Sequence, residues 1–184
     1  MSDLQACTGS PDTLSDPGDL GGCQNRTPPR DGKLIAAFGN SLRADDGVGG
    51  NILDRLEMCG ELPENIQLQW NASPANIVDA IISKKYEKVI IVDAVFFNTN
   101  PGDWKRFILN GKTAPTICQN THRSIHSMDL VEILELCSAL NIELPEISIY
   151  GVQPKEVNFS KKLSVSVQKS IPDVCIAILE DLRK

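Results

Sequence analysis

Four side chains in this sequence have types and positions that suit chemistry: Asp45 and Asp46 in GNSLRADDGVGG, Asp93 in KVIIVDAV, and His126 in THRSIHSMDL. Each also has an ordinary structural use. One acid suffices to cap the helix that opens near Gly47, Asp at a strand end is a common turn former, and a histidine beside a helix start is usually structural. Together they mean more. If Asp46, Asp93 and His126 meet at one crevice, the two carboxylates have only Arg43 as an evident basic neighbour. At about 4 Å and an effective dielectric near 20, their repulsion is roughly 4 kcal/mol. Such a site takes up a proton, recruits the arginine or binds a cation. Two carboxylates and an imidazole suit a divalent ion of the first transition row and leave positions open.

The elements that must position these residues alternate. KLIAAF (33–38) reads as a buried strand, and Val48, Ile52, Leu56 and Cys59 recur at helical spacing after it. Residues 66–70 read as a short strand. Ser73 before Pro74 signals the cap and first turn of a second helix. KVIIVDAV (88–95) has the β-branched run of a strand buried on both faces. WKRFIL (104–109) fits an antiparallel edge strand. Residues 111–124 read as a loop, and Leu130, Ile133, Leu134, Cys137 and Leu140 make a helical stripe. EISIY (146–150) is the last strand. LSVSVQ alternates like a strand, with a terminal helix expected from near Pro172. The expected fold is a three-layer α/β domain: a mostly parallel twisted sheet of about five strands, with helices on both faces. Ligands of such sheets bind beyond the carboxyl ends of the strands, where strand order reverses. The acids stand there.

Other function classes fit poorly. At 184 residues the chain suffices for one domain over residues 31–184. Residues 1–30, rich in Gly, Pro, Ser and Asp, are expected to form a flexible extension without the pattern of a signal peptide. A formal charge of −6 and the lack of a basic cluster argue against nucleic acid or anionic membrane as partner. No apolar run is long enough to span a bilayer, and with no signal-peptide pattern a cytoplasmic location is the default expectation. The acidic turn lacks GxGxxG and would repel a pyrophosphate. There is no GxSxG. The six cysteines show no CxxC pairing, and reduced core thiols are the plain expectation.

Four pieces of the chain, in order, resemble the hydrogenase maturation endopeptidases: GNSLRADDGVG, VDAV, SIHSMDL and YGVQPKEVNFSKKLSVSVQKSIP. The resemblance covers roughly residues 33–184. It implies an endopeptidase that removes a short C-terminal extension from the precursor of a nickel–iron hydrogenase large subunit, cutting after a basic residue once nickel is in place. It assigns nickel contact to Asp46, Asp93 and His126, with Asp46 or Asp93 moving protons during hydrolysis. Nickel would then arrive with the substrate, with no permanent cofactor, and the protein would act as a monomer. Asp45 is left as the cap of the first helix, and Gly39, Asn40 and Gly47 as shapers of the turn. The chain departs from the family in three places. QWNASPANIVDA (69–80) replaces a glycine-rich DGGT-like stretch, about 30 residues precede the first strand, and Asp46 stands where Glu is frequent. Two further readings use the same residues: a non-catalytic nickel-binding assembly chaperone, and a stand-alone metallohydrolase that keeps its own ion.

Overall fold

A computed structural model describes residues 31–83, 85–109, 137 and 139–184. The described strands are β1 (Gly32–Ala37), β2 (Ile66–Gln69), β3 (Tyr86–Ala94), β4 (Trp104–Leu109) and β5 (Glu146–Val152), with helices α1 (Val48–Cys59), α2 (Pro74–Ile82) and α3 (Val165–Leu182). A four-residue 3-10 turn, Ala44–Gly47, precedes α1. The strands form one sheet in the order β2-β1-β3-β5-β4, parallel except for β4, which pairs antiparallel with β5 at the edge.

Successive strand residues point to opposite faces, and the core divides along that alternation. Ile35 and Ala37 of β1, Ile90, Val92 and Ala94 of β3, and Tyr150 and Val152 of β5 pack with α1 and α3. Leu34, Ala36, Val89, Ile91, Ile147 and Ile149 face the other way, against Ile77, Ala80 and Ile81 of α2. The expected sheet with a helix layer on each face is thus present.

Two local expectations fail. The stretch expected to hold a strand and then a helix from Pro172 is one helix, α3, with Pro172 inside it. LSVSVQ alternates, but Val167 is buried at helical spacing from Ile171 and Val174, so the apolar face belongs to the helix. Cys59 and Leu140, each assigned to an apolar stripe, are exposed, whereas Cys137 and Cys175 are buried free thiols. Burial pushes the Cys175 thiol up to about 11, so it is protonated and inert at neutral pH. The remainder of the stripe at 130–140, like His126 and residues 1–30, lies outside the described residues.

The amino ends of the strands are locked by a buried polar network with no counterpart in the sequence reading. Lys88, near the start of β3, and Arg106 of β4 reach Asp181 Oδ1 at 3.0 and 2.6 Å. The Tyr150 hydroxyl donates to Asp181 Oδ2 at 3.1 Å. Burial opposes the charge on Asp181, but the Lys88 hydrogen bond and the two cations outweigh it and hold the carboxyl below its ordinary range. A depressed carboxyl stabilises the fold above the ordinary carboxylate pKa, about 4, and that contribution is lost as pH falls through the lower folded value. Asp181→Asn is expected to cost about 3–5 kcal/mol at neutral pH. In urea unfolding the gap to wild type should narrow at about pH 3; a gap independent of pH would contradict this role.

Candidate active site

Both central strands end at the point where strand order reverses: β1 leads outward to β2, and the chain then crosses to β3 on the other side. Phe38 N–H donates to the Val92 carbonyl at 2.9 Å, which pins the exit of β1 to β3 one residue before Asp93. The chain must then turn sharply. Gly39 has φ +101°, and a Cβ there would sit 1.9 Å from the Asp46 carbonyl oxygen, so only glycine fits. Gly49 lets α1 approach as closely, since its Cβ would meet Val92 O at 2.7 Å and Phe38 O at 2.8 Å. These contacts lay the acidic turn that carries Asp46 on the carboxyl end of β3, the strand that carries Asp93.

The two adjacent acids have different surroundings. Asp45 is fully buried. Its Oδ2 accepts from Lys155 N–H at 2.8 Å, Glu156 N–H at 3.2 Å and the Ser164 hydroxyl at 2.8 Å, and its Oδ1 accepts from Ser164 N–H at 2.6 Å. The expectation that Asp45 caps α1 is therefore wrong. Gly47 holds that position, without a side-chain cap bond, and Asp45 reaches across to the segment that leads into α3. Ser164, the N-cap of α3, was missed because its surroundings were read as a strand; a Ser at a polar-to-apolar boundary was the available signal.

Asp46, 6% exposed, accepts the Asn40 N–H at Oδ2 at 3.0 Å. Asn40 also shapes the turn: its Oδ1 accepts from Leu42 N–H at 2.9 Å and its carbonyl from Arg43 N–H. Gly47 packs where a Cβ would lie 2.9 Å from Ser41 Cα. Asp93 is buried at the close of β3, with Oδ1 accepting the Ala94 N–H at 2.8 Å. Arg43 is exposed and forms no ion pair with Asp45 or Asp46. Among the described residues no three His, Cys, Asp or Glu side chains gather as a metal-binding group; His126 lies outside them.

The sequence profile of the hydrogenase maturation proteases matches residues 53–181. The chain belongs to that family. Among curated relatives, the Escherichia coli K12 hydrogenase 3 maturation protease is 24% identical over 77% of this chain and 85% of its own length. The delta subunit of coenzyme F420 hydrogenase from Methanothermobacter thermautotrophicus is 26% identical over 81% of this chain and 93% of its own. Among solved structures, a NiFe hydrogenase maturation protease from Thermococcus kodakarensis superposes with a TM-score of 0.63 at 26% identity, covering 84% of this chain and all of the other. The hydrogenase maturating endopeptidase of E. coli gives a TM-score of 0.69 at 21% identity over 83% of this chain and 93% of its own, a likeness of fold. The protein is thus a hydrolase, an endopeptidase of hydrogenase maturation, which decides the choice left open between peptidase, carrier and stand-alone metallohydrolase. No described helix is long and apolar enough to cross a membrane.

The unequal surroundings of the acids make a measurable contrast. Asp45→Asn replaces an acceptor of four donors with a group that accepts at one atom only. It is expected to cost at least about 2 kcal/mol more in chemical denaturation than Asp46→Asn. Equal costs would show that Asp45 is not the clamp.

Proposed function

We propose that this maturation protease removes the C-terminal extension of a nickel–iron hydrogenase large-subunit precursor, and that Asp46, Asp93 and His126 contact the nickel already held by that precursor. What supports the reading is the packing of the Asp46 turn against β3, which carries Asp93 near its carboxyl end, while the neighbouring acid is consumed by structure. Two carboxylates in a largely dehydrated crevice repel, and a divalent ion arriving with the substrate relieves that repulsion. His126, in SIHSMDL, completes an oxygen–nitrogen donor set suited to nickel.

The metal then acts as a token of assembly. A precursor without nickel brings no cation to these acids and docks poorly; a loaded one supplies it. In the cut, a water oxygen adds to the scissile carbonyl carbon as its proton passes to Asp46 or Asp93. The same proton is returned to the leaving amine as the C–N bond breaks.

Incubating the protein with precursor purified with or without nickel, and weighing the product by mass spectrometry, tests this. Shortening is expected only for the loaded precursor; equal shortening of both would remove nickel recognition, and none with a competent precursor would remove the peptidase reading. Asp46→Asn and Asp93→Asn are each expected to slow the cut at least about 100-fold while the far-UV spectrum stays unchanged. Near-normal rates in both variants would dissociate the acids from the reaction.

A further inference from the structure

The segment that satisfies Asp45 also pairs with the chain leading into the acidic turn. Arg43 and Ser160 are partners in an isolated parallel bridge: Ser160 N–H donates to the Leu42 carbonyl at 3.0 Å, and Ala44 N–H to the Ser160 carbonyl at 2.6 Å. This pairing holds Ala44 at φ 48°, a left-handed conformation that costs an alanine of order 1–2 kcal/mol. One residue back on each chain stand Leu42, 42% exposed, and Phe159, 89% exposed. The register of the bridge thus places two exposed apolar residues at neighbouring positions, Leu42 four residues from Asp46. A fully buried Leu or Phe would gain about 1.5–3 kcal/mol, so the pair forgoes a considerable contribution to folding.

Charge distinguishes the same segment. Residues 153–172 hold four lysines, Lys155, Lys161, Lys162 and Lys169, against one acid, Glu156, in a chain whose formal charge is −6. All four lysines and Arg43 are exposed. Lys155 and Lys169 flank a groove of about 690 Å³ whose apolar wall includes Pro101, Leu163 and Val165.

We propose that Leu42 and Phe159, framed by Arg43 and this lysine-rich segment, form the docking surface for the folded body of the precursor, and that the complementary patch there is an apolar depression bordered by carboxylates. This rests on the reading of the protein as a processing protease. The apolar pair supplies the anchor, because aromatic side chains entering desolvated pockets dominate interface energies. The lysines steer approach toward an acidic face that the chain's overall charge would otherwise repel. Docking here sets the register of the substrate against Asp46, since the bridge joins the anchor directly to the acidic turn.

The test measures binding and cutting separately. Nickel-loaded precursor is immobilised, and affinities of full-length wild type, Phe159→Asp, Phe159→Leu and the double variant Lys161→Glu/Lys162→Glu are read by interferometry. Shortening is followed in parallel by mass spectrometry. Phe159→Asp is expected to bind at least about tenfold more weakly and to raise KM with kcat unchanged, while Phe159→Leu stays near wild type. The double lysine variant should associate more slowly, with the difference fading at high salt. Because Phe159 is exposed, all variants should fold. Wild-type affinity in Phe159→Asp overturns the docking surface even if cutting proceeds. If wild type binds but does not cut, the function reading fails while the binding series still decides the surface. Self-association of wild type that Phe159→Asp abolishes, with precursor binding unaffected, would assign the patch to a second copy of this chain and overturn the proposal.

Discussion

The buried carboxylate of Asp45 is the constraint on which the crevice depends. A charge removed from water must find donors, and Asp45 finds four, all from residues 155–164. The bond set joins the turn after β1 to the approach of α3, more than 100 residues away in sequence. It also fixes which acid is available: the carboxylate saturated by N–H and O–H groups has little capacity left, whereas Asp46 accepts from Asn40 alone among the described residues. Adjacent identical residues are thus differentiated by position, one holding the turn and the other presented by it.

The two ends of the sheet treat charge differently. At the amino ends, Asp181 is neutralised by Lys88 and Arg106, and the charges remain within the fold. At the carboxyl ends, about 16 Å away along β3 by strand rise, Asp45 and Asp46 have no ion pair among the described residues. Neutralisation inside the molecule gives stability. In the proposed reading, neutralisation at the other end waits for a cation that the partner carries, and binding then depends on that cargo.

Much of this was legible in the sequence for identifiable reasons. The β-branched run through Val89–Val92 has no polar interruption, so its burial on both faces could be read directly. Ser73–Pro74 announced α2, which does carry a capping box with Asn76. GNSLRADDGVG reads as a turn between a strand and a helix, and Ala44–Gly47 is the 3-10 turn that precedes α1. The failures share a cause: they depend on contacts distant in sequence. Nothing local distinguishes Asp45 from a helix cap, because its donors lie at 155–164. Asp181 in LEDLRK looks like a solvated helix face, and only the fold brings Lys88 and Arg106 to it. Alternation in LSVSVQ was a true pattern with two geometric explanations, and packing of Val167 against the sheet side chains chose the helix.

The central claim is that the crevice acids touch a metal belonging to the substrate. Nickel K-edge X-ray absorption reports that contact without reference to cleavage. Spectra would be collected from loaded precursor alone and from precursor freeze-quenched with this protein before turnover. The account expects two or three additional oxygen or nitrogen ligands around nickel in the mixture, with fewer when Asp93→Asn replaces wild type. A nickel shell unchanged by a protein that demonstrably binds the precursor would contradict it.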